Sequence, residues 1–308
     1  MEIFRDWRSV PPRARGASVA LGNFDGVHIG HAHVLTQTRQ ARPDAPLAVL
    51  TFEPHPRELF RPDDPPFRLT LAAERADALA ALGVEYLFEL PFNLDFAALS
   101  AAAFIAEVLA RGVGAAHLAC GWDFAFGNRR GGDARVLADG AAARGMGLTV
   151  VPPLADDHGP VSSSRIRRLL QDGYPERAAA ELGRPWSIRG EVAHGDARGR
   201  TVGWPTANVP LGRHLEPARG VYAVRARLPD GSIRPGVANI GVRPTVGGTE
   251  SRVEAHVFDW AGDIYGAEVS VALEAFLRPE KRFDSFPALV AQIAADADEA
   301  RRVLGCPA

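Results

Sequence analysis

Cysteine and lysine are almost missing: the 308 residues include two cysteines, Cys120 and Cys306, and a single lysine, Lys281. Two cysteines exclude a disulfide framework and, by themselves, a four-ligand zinc site, and they fit a reducing cytoplasm. Lys281 is followed by Arg282, so no G-x-x-x-x-G-K-[ST] loop exists and any ATP chemistry must rest on another scaffold. An excess of one charge is missing as well. Lys and Arg total 35 against 37 Asp and Glu, a formal net charge of -2, and no basic stripe marks a nucleic-acid binder. Long apolar runs are absent too. The most apolar stretch, Phe96 to Ala110, is interrupted by Glu107 and falls far short of a bilayer span. The charged start, Met1 to Arg8, lacks the apolar segment of a signal peptide. These absences point to a soluble, cytoplasmic protein with no nucleic acid and no membrane as partner. They leave open whether it forms a homo-oligomer.

The chain is long enough for two cores, and its 46% hydrophobic and 23% charged residues are those of an ordinary folded protein. Up to about residue 183, short apolar runs alternate with segments of helical period, the pattern of a parallel sheet covered by helices. The expected strands are Ser18 to Leu21, Leu47 to Phe52, Tyr86 to Leu90, His117 to Cys120 and Leu148 to Val151. The expected helices cover Leu71 to Leu82, Phe96 to Arg111 and Asp133 to Arg144. After about Arg184, Gly and Pro punctuate short runs such as Val221 to Arg227, Glu254 to Phe258 and Glu268 to Leu277. Their lengths suit an antiparallel barrel or sandwich. Ser285 as N-cap, Pro287 in the first turn and Gly305 after Leu304 frame a terminal helix. The expected boundary lies near Gly183 to Trp186, dividing the chain into 1–183 and 184–308.

The run Ser18 to His31 leads from a strand through a glycine-bearing turn, G-N-F-D-G, into a helix start. That junction belongs at the carboxyl edge of a parallel sheet, where open α/β folds bind ligands. Unpaired N–H groups at a helix start favour an anion, and His28 and His31 are spaced to face it together. A triphosphate suits such a site. Two histidines at this spacing are also common as plain surface residues, and with His33 they could hold a metal. Gly112 to His117 begins like G-x-G-x-x-G, but it precedes a strand and is no dinucleotide fingerprint.

G-N-F-D-G-V-H-I-G-H resembles the H-x-G-H nucleotidyltransferase signature in the form carried by the FMN adenylyltransferase module of bifunctional riboflavin kinase/FAD synthetases. The resemblance continues in register at Thr51 to Pro56, Gly121 to Gly127 and Ser162 to Arg167. It implies a Rossmann-like N-terminal domain in which His28 and His31 are catalytic. Gly22, Asn23, Phe24, Asp25, Gly26 and Gly30 then line the nucleotide, and Ser163, Ser164 and Arg167 hold ATP phosphates. Arginine forks phosphate oxygens bidentately and so replaces the missing P-loop lysine. Read as residues alone, the serines cap a helix. Asp123, Phe124, Phe126 and Asn128 are flavin-binding by the same resemblance, whereas buried phenylalanines are ordinarily core. Ser164 stands where many relatives have threonine, and the hydroxyl is kept.

From Arg189 to Asn208 the sequence is dense in glycine and polar residues. A phosphate-cradling loop and a glycine-rich hairpin explain that composition equally well. Pro205-Thr206-Ala207-Asn208 resembles the G-x-P-T-A-N signature of riboflavin kinases, and Gly236 to Thr245, Val253 to His256, Tyr265-Gly266 and Phe276 to Arg278 fit the same family. The resemblance implies an antiparallel β-barrel kinase domain closed by the terminal helix. Gly195, Gly199, Arg200 and Gly203 would meet ATP phosphates, Thr206 and Asn208 would hold Mg²⁺, Arg243 would touch flavin, and Glu254 would be the catalytic base. Taken by itself, Glu254 could equally pair with Arg252. The implied partners are riboflavin, FMN and ATP.

Overall fold

A computed structural model of the chain describes residues 1–193, 204–245 and 248–306. Packing divides it into two compact units, Met1–Asp64 with Thr70–Ser162, and Pro65–Leu69 with Ser163–Ala308.

The first unit is a six-stranded sheet of β1 (Glu2–Phe4), β2 (Ser18–Leu21), β3 (Leu47–Glu53), β4 (Tyr86–Pro91), β5 (His117–Gly121) and β6 (Gly147–Val151) in the order β1-β4-β3-β2-β5-β6. Every pairing is parallel. Successive side chains of a strand point to opposite faces, and here both faces are covered. Val19, Leu21, Ala48 and Leu50 enter one apolar cluster. Ala20, Leu47 and Val49 enter another on the opposite side. Burial on both faces is why these strands read as continuous apolar runs without alternation. The chain order reverses direction at β2, which has β3 on one side and β5 on the other. The turn after β2 therefore opens at the switch point of the sheet.

Six helices serve this unit: α1 (Ile29–Ala41), α2 (Pro56–Phe60), α3 (Ala72–Ala81), α4 (Leu94–Ala97), α5 (Ala101–Ala103), which continues as a π-helix over Phe104–Val113, and α6 (Ala134–Ala142). The helix expected over Phe96 to Arg111 is split. Asn93 Oδ1 accepts from Phe96 N at 2.9 Å and Ser100 Oγ from Ala103 N at 3.1 Å, so two caps impose two starts where apolar period alone shows one. A two-strand ribbon, β7 (Ala155–Asp156) with β8 (Gly159–Pro160), follows.

The second unit begins with α7 (Ser163–Gln171) and α8 (Pro175–Leu182), then β9 (Trp186–Glu191), β10 (Ala207–Pro210), β11 (Gly220–Arg227), β12 (Ile233–Thr245), β13 (Gly248–Val257), β14 (Glu268–Pro279) and α9 (Phe286–Leu304). Its sheet runs β10-β13-β12-β11-β14-β9, entirely antiparallel. Ala193, just beyond β9, donates its N–H to Asn208 O at 2.8 Å, which closes the sheet into a near-barrel. Alternation is regular through β11, β12 and β13, while the β11–β14 pairing carries register shifts between Val221 and Tyr222 and between Ala223 and Val224. Tyr222, Val224, Ala238, Ile240, Val253 and Ala255 fill the interior together with Ile166 and Leu170 of α7. Val221, Ala223 and Val237 face outward beneath Ala297 and Ala300 of α9. Arg278 fixes that helix through two bonds to Asp296, at 2.8 and 2.6 Å.

One buried base sets a pH dependence for the parallel sheet. His117 on β5 is 6% exposed, with Nδ1 3.0 Å from Ser18 Oγ and Nε2 3.1 Å from Thr149 Oγ1. Burial, assisted by Arg42, lowers its pKa from the ordinary 6.5. The unfolded chain therefore takes up a proton that the folded histidine refuses, and stability is full above about pH 6.5 and declines as pH falls from there toward the lowered folded value. The urea midpoint should drop over that interval, and His117→Asn should flatten the drop; an unaltered slope in the variant would place its origin in another group.

Candidate active sites

Between β2 and α1 the chain must reverse within the few residues Gly22 to His28. Phe24 and Val27 adopt φ of 51° and 44°, and Gly26 lies at 85°. A positive φ is costly for a side-chain-bearing residue, above all a β-branched one, so surrounding contacts must hold the turn. They are strong. Asp25, 2% exposed, accepts from Thr70 N at 3.1 Å, and Gly26 N donates to Thr70 Oγ1 at 2.9 Å. Thr51 Oγ1 donates to Asn23 O at 3.0 Å. Phe24 is buried in the apolar cluster on that face.

Beneath the turn lies Arg75 of α3, with no solvent exposure. Its Nη2 reaches Glu53 Oε2 and Glu89 Oε2, each at 3.0 Å, and its Nη1 reaches Phe52 O at 3.3 Å and Asn23 O at 3.5 Å. Arg5 Nε meets the other oxygen of Glu89 at 3.2 Å. Among the described residues Arg75 Nε has no hydrogen-bond partner. Neither Arg75 nor Thr70 carries a motif. The legible signal was one charge within the buried stripe Arg75, Ala76, Leu79 of an otherwise apolar helix face.

Helix α1 opens on the two histidines themselves. His28 Nδ1 accepts from His31 N, and His31 Nδ1 accepts from His28 N, each at 3.3 Å. The rings stack with centroids 3.6 Å apart and planes 18° apart, and Phe24 packs 4.9 Å from the His31 ring. A ring nitrogen that accepts carries no proton, so in both residues the proton sits on Nε2. Each ring thus carries its one N–H on Nε2, at the start of the same helix. Gly30 leaves room for the stack: a Cβ there would come 3.0 Å from His28 Nδ1 and Cε1.

The remaining expected residues of this chemistry lie on two further segments. Asp123 and Asn128 are exposed, Phe124 is half-buried, and Phe126 is 8% exposed within the core. The Phe124 and Phe126 rings stack at 5.4 Å, and Asn128 Nδ2 donates to Ala97 O at 3.2 Å. Phe126 begins a chain of ring contacts through Phe104, Phe96 and Phe52 to Phe92. In the second unit, Ser163 and Ser164 form the first turn of α7. Arg167 is oriented by Phe67, donating from Nε to its carbonyl at 2.8 Å with the guanidinium 5.3 Å from its ring centroid.

In the barrel, register brings a second polar group together. Glu254 of β13 lies opposite Asn208 of β10 on one side and Asn239 of β12 on the other. Val253 and Ala255 point into the core, so Glu254 is on the outer face. Asn208 Nδ2 donates to Thr206 O at 3.3 Å, which turns its Oδ1 away from that bond. No group of three or more His, Cys, Asp or Glu able to hold a metal occurs among the described residues, and a hard cation here would rely on hydroxyl and amide oxygens such as those of Thr206 and Asn208. Gly195, Gly199, Arg200 and Gly203 lie outside the described residues, and Arg243 is placed as a backbone position in β12.

The chain matches two family models, FAD synthetase over residues 10–165 and riboflavin kinase over residues 182–304. It is 42% identical over 292 residues to the bifunctional riboflavin kinase/FMN adenylyltransferase of Escherichia coli K12, covering 94% of this chain and 93% of that one. The protein of the same description from Pseudomonas fluorescens is 41% identical, with 98% and 97% covered, and that from Bacillus subtilis 38% identical, with 92% and 91% covered. A crystal structure described as a macrolide-efflux protein from Streptococcus pneumoniae superposes with a TM-score of 0.86 at 35% identity, over 97% of this chain and 98% of that one. No helix among the described residues is long and apolar enough to cross a membrane.

Removing the cation beneath the first turn leaves the buried Glu89 carboxylate with the largely exposed Arg5 as its remaining ion-pair partner. Arg75→Met should lower stability by about 3–5 kcal/mol, measured by urea unfolding, and Glu89→Gln in the same chain should restore part of that loss. A double variant no more stable than the single one would show that the pair is not coupled.

Proposed function

The chain belongs to the bifunctional riboflavin kinase/FMN adenylyltransferase family and is an enzyme that phosphorylates riboflavin to FMN and adenylylates FMN to FAD, and we propose how its own residues carry the two reactions. The FAD synthetase activity resides in the N-terminal part and the riboflavin kinase activity in the C-terminal part. ATP is the co-substrate of both. We place the division of activities at 183/184 and the enzyme in the cytoplasm, in keeping with its two unpaired cysteines.

In adenylylation an oxygen of the FMN phosphate attacks the α-phosphorus of ATP, and the bond to pyrophosphate breaks with its electrons leaving on the pyrophosphate. No protein nucleophile is required, so the work is positioning and charge stabilisation. His28 and His31 supply two Nε2–H donors to the departing phosphates. The observation that carries this reading is the reciprocal Nδ1 bonding, which leaves each ring only one nitrogen with a proton to give. Gly22 to Gly26 and Gly30 form the nucleotide turn, and Ser163, Ser164 and Arg167 are assigned as further phosphate donors. Asp123, Phe124 and Asn128 are assigned to the flavin, with Phe126 as the ring behind Phe124.

In phosphorylation the terminal ribityl hydroxyl attacks the γ-phosphorus, its proton passes to Glu254, and ADP leaves. The register of Glu254 against Asn208 supports this assignment. Thr206 and Asn208 would hold Mg²⁺, which when bound neutralises phosphate charge. Gly195, Gly199, Arg200, Gly203 and Arg243 are assigned to phosphates and flavin on resemblance alone.

Separate assays on one purified chain test the division. With FMN and MgATP, His28→Ala combined with His31→Ala should lose about two to four orders of magnitude of FAD formation, the worth of two charge-assisted bonds, while riboflavin is still phosphorylated. Glu254→Gln should slow FMN formation about 10²–10⁴-fold and leave FAD formation from supplied FMN intact. Either variant halting both reactions in folded protein would overturn the division.

A further inference from the structure

Thr206 and Asn208 stand at the entrance of β10, and the backbone ladder that holds them begins only at Ala207, opposite Ala255 of β13. The antiparallel register would next set Thr206 against His256, but pairing has ended there. Pro205 has no N–H to continue it. A side chain takes over instead. His256 Nδ1 lies 2.8 Å from Pro205 O, and because a carbonyl only accepts, Nδ1 is the donor.

The imidazole is itself held from several sides. Its ring meets Trp204 edge-on at 4.8 Å and Phe258 at 5.9 Å. Phe258 is 2% exposed and carries the Arg301 guanidinium 4.2 Å from its ring centroid. Arg301 of α9 is in turn fixed by two bonds to Asp259, at 2.9 and 3.0 Å. Trp204, Phe258, Ala297, Ala300 and Leu304 share one apolar cluster. A continuous set of contacts therefore runs from the terminal helix through His256 to the carbonyl immediately before Thr206.

We propose that His256 is a positioning residue of the riboflavin kinase site: its Nδ1–H grips the Pro205 carbonyl and thereby sets the Thr206 hydroxyl and the Asn208 amide where they hold the cation of MgATP. The proposal rests on the assignment of Thr206 and Asn208 to Mg²⁺. His256 touches no reactant in this scheme. Its effect is to extend the β10–β13 ladder by one bond at the point where Pro205 would let it fray, so that ordering of the segment is present before the metal arrives.

Two variants separate the donor from the ring. His256→Phe keeps an aromatic edge for Trp204 and removes the donor, whereas His256→Asn places an amide N–H at the reach of Nδ1. Backbone hydrogen exchange of the peptide 204–209, measured by mass spectrometry without metal or nucleotide, should quicken about threefold to tenfold in His256→Phe, the worth of one hydrogen bond. The Mg²⁺ concentration for half-maximal riboflavin phosphorylation should rise by a similar factor, with kcat at saturating Mg²⁺ little changed. His256→Asn should recover most of both effects. FAD formation from supplied FMN, measured on the same chain, should stay unchanged, and the retained kcat of riboflavin phosphorylation at saturating Mg²⁺ reports that the barrel of each variant is folded.

Unchanged exchange in His256→Phe, or no recovery in His256→Asn, would overturn the proposal. So would faster exchange with an unmoved Mg²⁺ requirement, provided Thr206→Ala does move it. If Thr206→Ala leaves the Mg²⁺ requirement where it was, the assignment of Thr206 itself fails and takes the proposal with it.

Discussion

Helix α1 starts without a Ser, Thr, Asp or Asn cap, and the two imidazoles that replace them are also the groups assigned to the phosphates. A helix start leaves N–H groups without partners. At α1 the N–H groups of His28 and His31 are satisfied by each other's Nδ1. The same bonds hold the stacked rings together and set the tautomer of each, with the proton on Nε2. A Ser, Thr, Asp or Asn cap would satisfy the helix equally well but would not bring two imidazole N–H groups to its first turn. Capping and the assigned chemistry are one arrangement, and the glycine at 30 gives it room, since a Cβ there would come 3.0 Å from the first ring.

That arrangement depends on a turn with unfavourable dihedrals, and the turn depends on charges placed in the interior. Strained φ values at Phe24 and Val27 persist because Asp25, Thr70, Thr51 and Arg75 hold the backbone on several sides. A buried guanidinium between two carboxylates is poor evidence of net stabilisation, since desolvation offsets much of the attraction. Its use here is directional. Arg75 binds the carbonyls of Asn23 and Phe52 and the carboxylates of Glu53 and Glu89, so the ends of β2 and β3 cannot shift independently.

The barrel reaches a comparable order by other means. Glu254, Asn208 and Asn239 are aligned by register alone, since an antiparallel ladder fixes which residues stand opposite. Strand alternation sends Val253 and Ala255 inward and leaves Glu254 on the outer face. Where the ladder stops, at Ala207, the His256 side chain continues it. One site thus relies on a strained loop pinned from below, the other on a regular ladder with a single added bond.

Much was legible in the residues themselves. The doubly covered strands could be read from their unbroken apolar runs, because burial on both faces removes alternation. The histidine pair followed from helical spacing after a strand and a glycine turn, and the terminal helix from Ser285, Pro287 and Gly305, since caps act within a few residues of themselves. What lay beyond reach were relations between residues distant in sequence. Arg75 looks like any helix arginine until Glu53 and Glu89 are brought to it, and His256 like any strand histidine until Pro205 arrives 2.8 Å away. Strand β12 was obscured by Pro235, Gly236 and Gly241, which read as breaks, yet Gly236 is paired on both sides, Pro235 with β11 and Gly241 with β13. Local dihedral preference and periodicity are written in the chain; which charges share an interior, and which carbonyl meets which donor, exist only after the strands have paired.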